Sequence, residues 1–211
     1  MLNIGSEKIA GLLPNALIAT RGRASEKRLY LTFDDGPHES VTDELREFLD
    51  FHNVVGNFFC IGENLRKHSE VARRLLKSGH TVCNHSDSHR NYRKLSLPIQ
   101  LEDLAACQAE IQKLGADTGH VFRAPQGQLS MSSLLRMKLQ HVRVVHWSYD
   151  SLDYQKASVD TQIQRFRSDP VDNGDVILFH DDSDLCIRTL ETLLPEWQTQ
   201  GFTFGSVLDL R

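Results

Sequence analysis

Apolar positions along the chain switch repeatedly between two spacings. Residues 28–33 (Arg-Leu-Tyr-Leu-Thr-Phe) alternate and are β-rich, which predicts a strand. Residues 42–51 follow with Leu45, Phe48 and Leu49 at helical spacing. Residues 54–61 form a near-continuous apolar run, the pattern of a strand buried on both faces. Residues 63–77 are amphipathic, with Leu65, Val71, Leu75 and Leu76 on one side and Ser78-Gly79 as a C-terminal cap. Residues 80–84 predict a third short strand. Residues 98–115 carry the longest helical pattern, with Gly115 as its stop. Further strands are predicted at 119–124, 142–147, 175–180 and 202–204. Helices are predicted at 130–140, 158–167 and 184–200, with Pro195 kinking or splitting the last. Strand and helix thus alternate about seven times with short connections, which predicts a parallel α/β sheet, open or closed into a barrel.

The 211 residues suffice for one sizeable core, and an α/β barrel can use them all. No internal repeat, low-complexity tract or linker divides them. A net charge of −4 gives no electrostatic case for nucleic acid or an anionic membrane surface. No apolar run reaches the ~20 residues of a transmembrane helix. Cys60, Cys83, Cys107 and Cys186 are scattered without a C-x-x-C pair, so buried free thiols in a reducing compartment are expected. The apolar run at 9–19 is a poor export signal: Pro14 and Asn15 interrupt it, and Arg21 and Arg23 follow. It reads better as a helix closing one end of the domain. The expected organisation is therefore an N-terminal helical cap over 1–27 and one domain over 28–211. The expected location is cytoplasmic, with a periplasmic or secreted protein as the alternative.

Chemistry-bearing residues recur at the C-terminal ends of the proposed strands. Asp34 and Asp35 follow the first, His85 and His89 the third, and Arg123 lies in the fourth. Asp150 and Asp153 follow the fifth, and His180 ends the sixth. In parallel α/β architectures the strand C-termini converge on one face, where sites are built. His85-Ser86-Asp87-Ser88-His89 is an H-x-x-x-H pair; on one helical turn both imidazoles would face one metal ion. Asp35 is the candidate third ligand. Its neighbour Asp34, diverging in direction on the same turn, stays free to take a proton from a water activated there. His180 is the natural general acid, because its pKa can lie near working pH. Asp153 could hold that imidazole protonated. Arg123 is either a structural ion pair or the group that orients the base. His38, His52, His68, His80, His120, His141 and His146 lack this convergence and read as surface or packing residues.

These residues resemble the motifs of the NodB-homology polysaccharide deacetylases, carbohydrate esterase family 4. Thr32-Phe33-Asp34-Asp35-Gly36-Pro37 matches the first motif and His85 to His89 the second. Phe122-Arg123-Ala124-Pro125-Gln126-Gly127 resembles the third, Asp150-Ser151-Leu152-Asp153-Tyr154 the fourth, and Leu178-Phe179-His180 the fifth. The likeness runs over most of the chain, in the family's order. It implies a deformed (β/α) barrel of about seven parallel strands with the active site at the strand C-termini. It also implies a divalent metal on Asp35, His85 and His89, with zinc favoured over cobalt, nickel or manganese. By carry-over Asp34 is the base and His180 the acid, Asp153 tunes His180, and Arg123 orients Asp34. Gln126, after Pro125, would offer its backbone N–H to the oxyanion, and Leu178 and Tyr154 would line the acetyl pocket. Two departures stand out. Gln126 stands where the family usually has an aromatic residue, and Tyr154 where it usually has Trp; both bear on the substrate more than on the chemistry.

The expected function is therefore a metal-dependent hydrolase of non-peptide carbon–nitrogen bonds, releasing acetate from an N-acetylated sugar, oligosaccharide or polysaccharide. Two alternatives share the fold: an esterase of O-acetylated glycans, and a catalytically silent sugar-binding protein. A purely structural α/β protein is the third. Oligomeric state and the particular glycan are not legible in the sequence.

Overall fold

The computed structural model describes residues 10–116, 118 and 120–210. Nine strands form one sheet in which every strand pair is parallel. In chain order the elements begin with β1 (Ile18–Ala19), β2 (Arg28–Asp34), α1 (Val41–Phe51) and β3 (Gly56–Cys60). They continue with α2 (Gly62–Lys67), α3 (Ser69–Lys77), β4 (Thr81–Asn84), α4 (Leu97–Lys113), β5 (Val121–Phe122) and α5 (Met131–Leu139). β6 (Arg143–Val145), β7 (Tyr149–Asp150), α6 (Val159–Ser168), β8 (Val176–His180), α7 (Leu185–Thr199) and β9 (Thr203–Phe204) complete the chain. The spatial order is β1-β6-β5-β4-β3-β2-β8-β7, with β9 paired to the start of β2. The two ends of this series meet. Arg21, just past β1, bridges Asp175, just before β8, and Gly22 N–H donates to Gly174 O at 2.7 Å. The sheet is thus a deformed (β/α) barrel.

Two-residue alternation decides which side chains enter the barrel. On β2, Leu29, Leu31 and Phe33 point outward into a core shared with the helices. Tyr30 faces the barrel interior, and Thr32 and Asp34 share its parity. On β8, Ile177 and Phe179 face outward and Val176 and Leu178 inward, so His180 joins the inward set. Stacked rings tie the outer faces together: Phe33 with Phe58 at 5.1 Å, and Phe179 with Phe33 at 6.0 Å and Phe166 at 5.7 Å between centroids. Inside, Phe59, Cys83, Val145, Trp147 and Leu178 fill the barrel, and Val207 and Leu210 join the same cluster. The register sets Asp34 beside Phe59 on β3 and His180 on β8. A carboxylate and an imidazole are therefore cross-strand neighbours before any loop is considered.

All seven expected strands are present, and two more join them. Ile18–Ala19 is a strand paired with β6, not the end of a helix closing the domain, so the described part of the 1–27 segment belongs to the barrel wall. Ile9, where that helix was expected to begin, lies outside the described residues, as does Gly119 at the start of the strand expected over 119–124. Tyr149–Asp150 is a further strand against β8. The helix expected over 63–77 is two helices, because His68 leaves the helical region at φ −124 and ψ 41. Around Pro195 the last helix stays continuous. The four cysteines are buried and free. None of the helices among the described residues is long and apolar enough to cross a membrane.

Candidate active site

The first motif ends β2 and turns at once. Asp35 has φ 78, a left-handed conformation that costs an L-residue on the order of 1–3 kcal/mol unless its surroundings fix it. They do: Asn64 Nδ2 donates to Asp35 O at 2.8 Å, and Ile61 N–H to Gly36 O at 2.9 Å. The two carboxylates consequently diverge. Asp34 points into the barrel, where Arg123 Nη1 donates to its Oδ1 at 2.7 Å and to Thr32 Oγ1 at 2.8 Å. Arg123 is fully buried, with its guanidinium 4.0 Å over the Phe59 ring. Its Nε and Nη2 reach the carbonyls of Val145 and His146, both at 3.4 Å. A buried arginine so engaged holds one oxygen of Asp34 and leaves the other to face the cleft.

Asp35, His85 and His89 bring one potential ligand atom each to within 4.8 Å of one another. The two histidines do not ride a helical turn as expected. They lie in a loop between β4 and α4 in which Ser86 (φ 69) and His89 (φ 51) are both left-handed. Ser86 N–H donates to Asn84 Oδ1 at 2.8 Å and His89 N–H to Ser86 Oγ at 3.0 Å, so the loop bonds to itself. The outcome is the convergence that a helix would have given, reached by different backbone. His85 Nδ1 lies 2.9 Å from Arg123 O; a carbonyl only accepts, so Nδ1 carries the proton and the Nε2 lone pair faces the cleft.

That donor set fits a divalent cation. Asp35 Oδ1 is buried and has no hydrogen-bond partner among the described residues, although His85 Nε2 lies at 3.4 Å and His89 Nε2 at 3.1 Å. Three electron-pair donors facing one another repel unless a positive charge sits among them. The titration behaviour agrees. Burial opposes the Asp35 charge, but the imidazoles of His85 and His89 outweigh it and hold the carboxyl well below the usual range. Burial also opposes the His85 cation, and Asp34 and Asp35 outweigh that, so this imidazole draws a proton. At His89, burial and the neighbouring His85 keep the ring neutral. The cluster attracts one positive charge and is built to share it.

On the opposite side of Asp34, His180 is gripped by Asp153. Nδ1 lies 2.7 Å from Asp153 Oδ1, and the His180 backbone N–H donates to Oδ2, also at 2.7 Å. Burial alone would lower the His180 pKa; the Asp153 bond, helped by the charges of Asp153, Asp34 and Asp35, raises it to about 9. Nε2 is left toward the cleft as a proton donor at neutral pH.

A cavity of about 470 Å³ opens over these groups, bounded by Asp34, Asp35, His85, His89 and His180. Gln126, Leu178 and Tyr154 line it, Tyr154 standing edge-on to His180 at 5.7 Å. Arg123 and Asp153 lie behind their partners, and Pro125 is buried behind Gln126 without lining the cavity. Gln126 is exposed and left-handed at φ 56, and its backbone N–H makes no hydrogen bond among the described residues. Three lining residues were not singled out as site residues: Gln128, Trp147 and Asp150. Asn91 Nδ2 joins Gln126 Oε1 (3.0 Å) to Gln128 Oε1 (3.4 Å), and burial raises the Asp150 pKa. Asp150 was visible in the sequence as the first member of its motif; Trp147 had only its place at the end of the strand predicted over 142–147. A second cavity of about 380 Å³ lies at the other end of β2, among Arg23, Glu26, Arg28 and Asp209, with no such convergence.

Fold and cleft together define a parallel (β/α)-barrel protein with a candidate cation site between two supported proton-transfer groups. The chain belongs to the polysaccharide deacetylase family, whose model matches residues 21–145. It is similar to the peptidoglycan-N-acetylglucosamine deacetylase of Bacillus cereus, 28% identical over 88% of this chain and 69% of that protein. It is also similar to the chitooligosaccharide deacetylase of a Bradyrhizobium species, 29% identical over 83% of this chain and 87% of the relative. Among solved structures, a peptidoglycan N-acetylglucosamine deacetylase in complex with 4-naphthalen-1-yl-N-oxidanyl-benzamide superposes with a TM-score of 0.87 at 27% identity, covering 92% of both chains.

Proposed function

We propose that the protein is a divalent-metal-dependent deacetylase that hydrolyses N-acetyl groups on N-acetylglucosamine-containing glycans, giving acetate and a free amine. One observation carries this reading. Asp35, His85 and His89 converge in a cleft flanked by the Asp34–Arg123 pair on one side and the His180–Asp153 pair on the other. The similar proteins support it, since those compared are named for removing acetyl groups from N-acetylglucosamine or chitooligosaccharides. The N-hydroxyamide bound to the solved relative is a chemistry that offers two oxygens to a metal.

Asp35, His85 and His89 would hold the ion, zinc before cobalt, nickel or manganese on ligand type. Bound there, it would supply Lewis-acid polarisation of the acyl carbonyl and acidify a water. The chain's own residues do the rest. Asp34 takes the proton of the attacking water on the oxygen that Arg123 leaves free. The Gln126 N–H, unpaired among the described residues, would donate to a developing oxyanion, a contribution of ~3–4 kcal/mol when well placed. His180 protonates the departing amine through Nε2, with Asp153 keeping Nδ1 protonated. Leu178 and Trp147 give the methyl group an apolar wall.

Acetate release from N-acetylated chitooligosaccharides, measured beside O-acetylated xylan and with and without chelator, tests the reading. Chelator-sensitive release from the first substrate is expected. Asp34→Asn should lose turnover and keep metal, whereas His85→Ala and His89→Ala should lose both. Full metal retention by His85→Ala refutes the ligand assignment, and release from xylan alone makes the protein an ester hydrolase.

A further inference from the structure

One buried carboxyl beside the Asp35 turn has no part in the chemistry just described. Asp181 follows His180 at the exit of β8 and is wholly buried. Its Oδ2 accepts a short hydrogen bond from Thr42 Oγ1, and Thr42 Oγ1 in turn accepts from the His38 backbone N–H at 2.7 Å. Thr42 is itself fully buried, one residue into α1. The Asp181 N–H leans on Asp34 O at 3.4 Å. The carboxyl also presses on the next turn residue: a β-carbon at Gly36 would fall 2.3 Å from Asp181 Oδ2 and 2.6 Å from Oδ1. The couple therefore touches the turn on both sides of its tightest point, at Gly36 through contact and at His38 through a hydrogen bond. Asp35 sits at the head of that turn in a left-handed conformation.

A non-glycine residue stays left-handed only where its surroundings over-determine it. Asn64 and Ile61 fix the carbonyls of Asp35 and Gly36 from the β3 side. Among the described residues no hydrogen bond from that side reaches the turn beyond Gly36; the restraint there comes from the β8 side, through Asp181 and Thr42. Fixing both flanks fixes the direction of the Asp35 carboxylate toward His85 and His89.

We propose that Thr42 and Asp181 are positioning residues for the Asp35 turn, and that they set the affinity of the cleft for a divalent cation by holding Asp35 in its ligating conformation. The proposal rests on the reading of Asp35, His85 and His89 as the cation site. A purely packing role would lower the melting temperature of Thr42 and Asp181 variants and leave the zinc affinity of the folded protein unchanged. A positioning role weakens zinc binding in protein that is still folded.

The test is zinc affinity of the full chain, by competition with a chromophoric chelator, beside circular dichroism of each variant. Thr42→Val and Asp181→Ala should bind zinc at least about 10-fold more weakly, the range seen when a support behind a ligand is removed. Thr42→Ser, which keeps the hydroxyl, and Asp181→Asn, which keeps an acceptor, should restore affinity. Wild-type affinity in folded Thr42→Val overturns the proposal. Hydrogen exchange of the His38 amide in zinc-free wild-type protein gives a second reading that needs no variant. Protection before zinc is added supports a turn held in advance, and an unprotected amide overturns it. Should wild-type protein bind no zinc, the cation site itself fails and the proposal with it. Binding by wild type and variants alike removes only the positioning role.

Discussion

Replacing Asp153 with Asn should discharge His180. The carboxylate accepts two hydrogen bonds from the same residue, from Nδ1 and from the backbone N–H, each at 2.7 Å. An amide offers one acceptor oxygen, so one of the two bonds must be lost, and its NH₂ meets a donor. Burial, which disfavours the imidazolium, remains. The His180 pKa of about 9 against an ordinary 6.5 corresponds to about 3 kcal/mol favouring the cation, and Asp153 is its largest favourable source. The sign for stability follows. A histidine with a raised folded pKa contributes fully below 6.5, and the contribution fades as pH rises through about 9. Chelated wild-type protein should therefore lose stability over that window, and Asp153→Asn should be flatter there. The direct assay is NMR titration of the His180 Cε1–H in chelated protein, assigned with His180→Gln. The midpoint should fall from about 9 to below ~7 in Asp153→Asn. The alkaline limb of kcat/KM should move the same way, since it reports the acid of the free enzyme. A His180 that still titrates near 9 in the variant would refute the reasoning.

Other outcomes follow from the same geometry. Arg123→Met leaves the Asp34 carboxylate buried and unpaired, and should cost about 3–5 kcal/mol in a urea titration at pH 7; a cost below 1 kcal/mol would show that water reaches Asp34. Burial pushes the Asp181 carboxyl up to about 7 from 3.8. Its contribution is then present below 3.8 and lost as pH rises through about 7, a fall of up to about 4 kcal/mol that Asp181→Asn should abolish in chelated protein. Gly127→Ala places a β-carbon 2.6 Å from the Trp147 ring at φ 64, and should cut activity more than zinc affinity, because it disturbs the Gln126 turn and not the ligands. Equal losses of activity and zinc binding would show the two loops to be coupled.

Seven strands were legible because each lies in a longer apolar or alternating stretch, of which β5 and β9 keep only two paired residues. Two-residue strands carry no period. Ile18–Ala19 and Tyr149–Asp150 pair only because the barrel closes around them, and closure is a property of the whole sheet. The break at His68 was hidden for a similar reason. Leu65 before it and Val71, Ala72 and Leu75 after it bury on one side, so a continuous helix fits the side-chain pattern even though the backbone does not continue. Trp147 and Gln128 reach the cleft from short connections whose paths depend on that same closure. Asp181 stands in a stretch rich in acidic residues that reads as a solvated loop; its burial comes from Thr42 and Gly36, far away in sequence.

The chemical residues were legible for a different reason: parity along a strand is fixed, so strand-end residues inherit their direction from the core. Because Leu29, Leu31 and Phe33 must bury outward against the helices, Asp34 must point inward; because Ile177 and Phe179 must do likewise, so must His180. A one-residue slip of β2 against β8 would turn Asp34 into the outer core and bring Phe33 into the cleft, at a cost in exposed apolar surface that the fold cannot meet. Hydrophobic burial therefore fixes Asp34 and His180 as neighbours with no help from their own chemistry. The proposed ligands are different. Asp35 and His89 lie beyond the strands, in left-handed residues held by loop contacts: Asn64 donates to Asp35 O, and His89 N–H donates to Ser86 Oγ. The cleft thus joins a carboxylate–imidazole pair locked by the core to a candidate cation cluster held by loops. Substitutions in the loop supports should disturb cation binding at little cost to the fold, whereas substitutions that shift β2 or β8 should remove fold and chemistry together.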